Sequence, residues 1–315
     1  DLHSFPTRRS SDLLVIEQDN IDGLGMLKES LGTIGQRIKA QNGDYQEYYP
    51  NFGWMGPLNS LTNEDSYQIL ANGTGEISIT GPVVHPSDHP ITLYPGWNWI
   101  GYPCITDMDI ATAFSNLTPT ESDMVKIADN YSTYYPIFGG WFGFLDTFVP
   151  GMGLLYYSNN SEPVTFTYPE LDRSATPSVR NVAFDNNHWT TNRYAYPSNM
   201  TVSAVVDLGN EELMSENYEL AAFDLNGECR GSVKLTYVEP INRYMALLVI
   251  SGDETTALQF GLYNTETGEE YFGSETFVDY NTNVMLGTLM EPFTVRFRSN
   301  TGVDELGLAD RKSVV

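Results

Sequence analysis

The sequence predicts a mainly β protein: two tandem small β-rich repeats, each with a short helix, followed by an immunoglobulin-like β-sandwich. Three observations carry this. A Tyr-Tyr-Pro…Gly-Trp block occurs twice, with Trp54 and Trp141 in the same place, 87 residues apart. The chain is rich in aromatics (20 Tyr, 15 Phe) and in Gly- and Asn-bearing turns, a composition that suits strands and tight connections. Its last third is a run of short apolar segments at the spacing of sandwich strands.

The repeat organises the first half. In "IKAQNGDYQEYYPNFGWMGPLNSL" (38–61), Lys39, Tyr45, Tyr48, Tyr49, Pro50, Phe52, Trp54, Gly56 and Leu58 find counterparts. These are Lys126, Tyr131, Tyr134, Tyr135, Pro136, Phe138, Trp141, Gly143 and Leu145 of "VKIADNYSTYYPIFGGWFGFLDTF" (125–148). "GEISITG" (75–81) then falls opposite "EPVTFTYP" (162–169). The second copy is complete. "YPGWNWIGYP" (94–103) is an aromatic strand bounded by Pro and Gly. Ile110, Phe114 and Leu117 make a helix face in 106–119, with Thr106 as N-cap, Asp109 as capping-box acid and Pro119 as the stop. "MVKIA", "GWFGFL", "GLLYYS" and "VTFTYP" read as strands. The first copy lacks the counterpart of the 96–102 strand, so its opening is expected to be frayed or mispaired.

The third module alternates more plainly. One strand face is Val202, Ala204, Val206, Leu208; others are Val233, Leu235, Tyr237, then Leu258, Phe260, Leu262, then Phe293, Val295, Phe297. "RYMALLVI" is apolar on both faces and reads as a central strand. Turns are expected at Asn226-Gly227, Ser251-Gly252 and Thr267-Gly268.

The two ends read differently. Residues 1–13, "DLHSFPTRRSSDL", have no apolar run of signal-peptide type. They resemble the translation of a short-read sequencing adapter, and Asp310–Val315 resembles the same adapter on the opposite strand. Both are set aside as artefact and expected to make few contacts. The organisation is then 14–81 repeat 1, 82–93 linker, 94–169 repeat 2, 170–180 linker, 181–298 sandwich, and 299–309 a lead-in to a missing domain. On this reading the chain is a fragment of a longer protein.

Charge excludes several function classes. The formal net charge is −25; setting aside Asp1, Arg8, Arg9, Asp12, Asp310, Arg311 and Lys312 moves it only to −26. Nucleic acid and anionic membrane surfaces need basic partners, so both are disfavoured. No stretch approaches the ~20 apolar residues of a membrane span. Two widely separated cysteines, Cys104 and Cys229, fit neither a disulfide scaffold nor a zinc site, and are read as buried thiols or one cross-module pair.

"GWNWIGYP", the paired Tyr-Tyr-Pro blocks and "YELAAFDLNGECRGSVKLTYVEPINRYMALL" resemble modules of large secreted proteins of the Bacteroidota type. "RFRSNTGVDELGLAD" (296–310) is similar to the stretch that leads into a type IX secretion sorting domain. The resemblance implies an extracellular or outer-surface location and export by the type IX machinery through a tail beyond Ala309. It supplies no catalytic residues.

Candidate sites are few. His85, Asp88 and His89 have a metal-like spacing, but their prolines forbid a regular helix and a linker reading is preferred. "DLNGE" (224–228) is part of a calcium-loop pattern without its closing acid, and reads as a hairpin turn. No nucleophile elbow, phosphate loop or zinc helix occurs. The aromatics Tyr48, Tyr49, Trp54, Tyr134, Tyr135 and Trp141 suit either sugar stacking or the cores of the repeats. The expected function is a noncatalytic set of modules for spacing, adhesion or ligand binding, with an extracellular glycan or a host or matrix protein as partner and no metal or cofactor. The alternatives are accessory modules of a secreted protease or glycoside hydrolase whose catalytic domain lies upstream, and carbohydrate binding through the repeat aromatics.

Overall fold

A computed structural model describes residues 2–4, 13–14, 23–73, 76–78, 85–170, 187–192, 195–253 and 255–298. The expected linker 170–180, beyond residue 170, lies outside the described residues, as do the secretion lead-in and residues 310–315. The chain is mainly β, with two α-helices among the described residues.

The first repeat comprises β1 (Leu2–Ser4), β2 (Leu13–Leu14), α1 (Gly23–Leu31), β3 (Gly35–Lys39), β4 (Tyr45–Tyr49), β5 (Gly53–Met55), β6 (Tyr67–Ala71) and β7 (Glu76–Ser78). Its sheet runs β2–β6–β3–β4–β5, and β1 pairs with β7. Leu24, Leu27 and Leu31 place one face of α1 on a core with Ile38, Tyr67 and Ile69. The second repeat comprises β8 (Ile91–Leu93), β9 (Gly96–Gly101), β10 (Met108–Asp109), α2 (Ile110–Ala113), β11 (Met124–Lys126), β12 (Tyr131–Tyr135), β13 (Gly140–Gly143), β14 (Thr147–Phe148), β15 (Gly153–Ser158) and β16 (Val164–Phe166). Its sheet runs β9–β15–β11–β12–β13, and β8 pairs with β16. The strand order of the two repeats is the same, element for element. Repeat 2 adds the short β10–β14 pair.

Three expectations are corrected here. Residues 1–13 were expected to make few contacts, yet Leu2–Ser4 pairs with β7 and Leu13 with β6. The reason is the repeat itself. β6 and β7 correspond to β15 and β16, whose edges β9 and β8 cover in repeat 2. An edge of unpaired N–H and C=O groups templates whatever extended chain lies nearby. The linker 82–93 is shorter than expected, because Ile91–Leu93 is a strand of repeat 2. The helix of repeat 2 begins later: Asp109, not Thr106, is its N-cap and accepts from the Thr112 N–H at 2.9 Å. Met108 and Asp109 pair with β14, which holds the chain extended up to that point. Ile110, Phe114 and Leu117 are nonetheless all buried.

The third module comprises β17 (Ser198–Leu208), β18 (Glu211–Glu212), β19 (Tyr218–Asp224), β20 (Cys229–Lys234), β21 (Thr236–Val238), β22 (Arg243–Gly252), β23 (Ala257–Asn264), β24 (Glu270–Tyr271), β25 (Phe277–Asp279), β26 (Met285–Leu286) and β27 (Phe293–Phe297). One sheet runs β18–β17–β22–β21, with β26 and β27 parallel to β17. The other runs β20–β19–β23–β24, with β25 also on β23. The alternating residues Val202, Ala204, Val206, Leu258, Phe260, Leu262 and Val295 meet in the core between them. β22 is central and covered on both faces: Ala246, Leu248 and Ile250 face this core, and Met245, Leu247 and Val249 face a different one.

The sandwich differs from the immunoglobulin order, in which the second and third strands lie in opposite sheets. Here the consecutive strands β19 and β20 pair within one sheet. The chain then changes sheets at buried Leu235, so that β21 pairs with β22. This corner breaks the expected face of Val233, Leu235 and Tyr237, and Tyr237 is exposed. Ser251-Gly252 is not a turn but the end of β22, in register with Asn199 and Ser198.

The modules do not pack independently. Segment 64–66 of repeat 1 lies along the edge of β9: the Gly101 N–H bonds the Glu64 carbonyl at 2.8 Å, and Asp65 bridges Ile100. Gln41 extends this edge with its side chain, accepting from the Trp99 N–H at 2.6 Å and donating to the Trp97 carbonyl at 2.7 Å. Repeat 2 and the sandwich share a separate apolar core.

Candidate functional site

The six aromatics singled out in the sequence do not converge on one site. Tyr48 and Trp54 are directly opposed on β4 and β5, with ring centroids 5.6 Å apart. Tyr134 and Trp141 are opposed in the same way on β12 and β13, at 5.4 Å. Both pairs use the inner face of their sheet. Trp54 packs on the core of α1, and Trp141 packs on Phe114 and Tyr156. Tyr49 and Tyr135 alternate onto the outer face.

Each Trp hairpin is held to its neighbour by a glycine. A Cβ on Gly56 would sit 2.1 Å from the Tyr45 carbonyl oxygen, and one on Gly143 2.1 Å from that of Tyr131. The repeated Trp-x-Gly spacing is therefore a packing requirement, since the next backbone occupies the place of a side chain.

The outer faces have different fates. In repeat 2, Met124, Tyr131, Tyr135, Phe138 and Phe142 are covered by Val205, Val238, Met245, Leu247 and Leu289 of the sandwich. Several polar groups pair inside this contact, although the buried Asn199 Oδ1 finds no hydrogen-bond partner among the described residues. The Tyr131 hydroxyl lies 2.9 Å from Ser203 Oγ, and the Tyr135 hydroxyl accepts from the Leu289 N–H at 3.0 Å. Lys126 Nζ donates to the Asn199 carbonyl at 3.1 Å and to Asn283 Oδ1 at 2.9 Å, and lies 4.4 Å from the centre of the Trp97 ring. Burial pushes the Lys126 ammonium down to about 7 and the Tyr131 phenol up.

In repeat 1 no described residue covers the aromatic part of the corresponding face. The counterparts Tyr45, Tyr49, Phe52 and Met55 are exposed, at 38%, 42%, 78% and 53%. Around them Arg37 donates to Glu47 at 3.2 Å and lies 5.8 Å from the centre of the Tyr45 ring. Lys39 takes the place of Lys126, opposite Tyr45 as Lys126 is opposite Tyr131. Such a contiguous exposed apolar patch with a charged rim is the composition of an interaction surface. It is the candidate functional site.

The remaining candidates are structural. The His85-to-His89 stretch forms a single turn, Pro86–Asp88. His89 is buried, with Nδ1 2.8 Å from Glu64 Oε1, and ties the two repeats together. Asp224 accepts from the N–H groups of Asn226 and Glu228, each at 2.9 Å, and from Arg230 at 3.0 Å. These contacts close the 224–228 hairpin turn. Among the described residues no group of three or more His, Cys, Asp or Glu is placed to hold a metal ion. Cys104, buried, and Cys229, half-buried, are not joined in a disulfide. No described helix is long and apolar enough to cross a membrane.

The contact between repeat 2 and the sandwich was not anticipated from sequence. Its signal was present: Tyr131, Tyr134 and Tyr135, followed by Trp141 and Phe142, put aromatics on both faces of one hairpin. A half-exposed sheet needs them on one.

No protein-family model, curated protein or solved structure matches the chain.

Proposed function

We propose that the chain is a noncatalytic set of modules from an exported or cell-surface protein, and that repeat 1 is its binding element. One observation carries the binding role: the outer face that seats a β-sandwich in repeat 2 is exposed in repeat 1, with three of its four aromatic positions retained as Tyr45, Tyr49 and Phe52. Aromatic anchors ringed by Arg37, Lys39 and Glu47 suit a protein partner with an apolar stripe and an acidic margin. An extracellular or matrix protein is the class of partner that an exported module of this kind would meet. Repeat 2 and the sandwich then act as a stiff spacer behind the binding face.

The test is adhesion of the purified chain to immobilised matrix proteins, compared with a Tyr49→Asp/Phe52→Ser variant. Both side chains are exposed, so melting is expected to stay unchanged while retention falls at least ~10-fold. Equal retention by both proteins would sink the reading. Retention on glycans alone, lost in the Tyr49→Asp/Phe52→Ser variant, would move it to the carbohydrate alternative.

A further inference from the structure

A concave feature lies elsewhere, at the junction of repeat 2 and the sandwich. It is an open cleft of about 450 Å³, within the size range of small-ligand sites, which favour module boundaries. Asn130 and Phe144 of repeat 2 form one wall, and Asn187, Trp189, Ser232 and Lys234 of the sandwich form the other.

The sandwich wall is held with unusual care for a loop. The carboxylate of Glu219, fully buried on β19, accepts from the His188 N–H at 2.7 Å and the Trp189 N–H at 3.1 Å. Asn187 Nδ2 donates to the Ser232 carbonyl at 3.1 Å, and Ser232 Oγ donates to the Trp189 carbonyl at 2.9 Å. The Trp189 ring is braced edge-on by Phe223, Tyr263 and Phe272. His188 stacks on Tyr263 at 3.8 Å. A buried carboxylate spent on two loop amides, with four rings behind one indole, fixes a half-buried tryptophan in place before any ligand arrives. Preorganisation of that kind lowers the ordering cost of binding.

The lining identifies the class of ligand. It offers aromatic surface from Trp189 and Phe144, the side-chain amide of Asn130 and the side-chain carbonyl of Asn187, whose amide nitrogen is already bonded to Ser232. Asp129 and Lys234 contribute one charge of each sign, so the cleft is close to neutral in a chain of net charge −25. Rings for C–H faces and neutral groups for hydroxyls match a pyranose. We propose that this cleft is a saccharide-binding site, with Trp189 as the stacking platform. It is separate from the outer face of repeat 1 and from the inner-face pairs Tyr48–Trp54 and Tyr134–Trp141.

The experiment titrates the full chain with cellobiose, maltose, lactose and chitobiose, read by saturation-transfer NMR and calorimetry. Binding of at least one disaccharide is expected, weakened at least ~10-fold, about 1.4 kcal/mol, by Trp189→Ala and by Asn130→Ala. It should be unchanged in Tyr49→Asp/Phe52→Ser, which keeps this test apart from the adhesion reading. Should Trp189→Ala fail to fold, Asn130→Ala and Lys234→Ala on the rim decide. No binding by any of the four sugars, or binding indifferent to these cleft variants, overturns the proposal.

Discussion

Lys126 sits fully buried between two modules, with two oxygen acceptors and one indole face around its ammonium. Burial lowers its proton affinity to about 7 against 10.5 for the free side chain. Between those values the unfolded chain holds a proton that the folded chain has released, so stability rises with pH across the window. Below about 7 both states are charged and the penalty is complete. The acceptors partly offset burial, so the expected gain from pH 7 to pH 9 is on the order of 1–2 kcal/mol. Thermal melting at a series of pH values should show it, and Lys126→Met should flatten the slope. Above ~10 the buried Tyr131 phenol reverses the trend, because its unfolded counterpart ionises first. Gly143 makes a sharper single-residue case. Gly143→Ala forces a Cβ against the Tyr131 oxygen and should cost ~3 kcal/mol or more in chemical denaturation. Gly140→Ala, with nothing within 4 Å of its Cβ, should change stability by less than ~1 kcal/mol.

At the scale of elements, the hairpin β12–β13 is a strip with two working faces. Trp141 and Tyr134 serve the repeat core, while Tyr135 and Phe142 serve the contact with the sandwich. Tyr135→Ala removes a ring that is 2% exposed and leaves the Leu289 N–H without its acceptor. A loss of about 3–4 kcal/mol is expected. Tyr49→Ala, the matching change in repeat 1, should cost under ~1 kcal/mol. The hairpin and its twin were legible in the sequence, because Tyr, Pro, Trp and Gly recur in step. The strands of the sandwich were legible from alternation. Two things were not. The corner at Leu235 lies inside an unbroken alternating run, and only the sheet change reveals it. The start of α2 was misplaced because Thr106 and Asp109 are both good caps, and the choice falls to the β10–β14 pairing, a tertiary contact.

The whole molecule behaves as linked parts. Composition and alternation indicate three modules, and aromatics on both faces of a hairpin mark an outer face fit for a contact, but they do not say which such face is covered, since Tyr45, Tyr49 and Phe52 follow the same pattern and are exposed. The shared core of repeat 2 and the sandwich predicts one calorimetric transition for that pair. A Tyr131→Asp variant, which places a carboxylate against Ser203 in this core, should split the transition in two. The seam between the repeats is of another kind: segment 64–66 and the Gln41 amide of one repeat lie on the first sheet strand of the next. The two surfaces in that seam are different, so the relation is not used up by being made once. A rule that joins the tail of one unit to the head of its successor can be applied again, with the same rotation and rise each time. The pair of repeats thus holds the generator of a screw, and a longer array of the same unit would be a rod of fixed pitch.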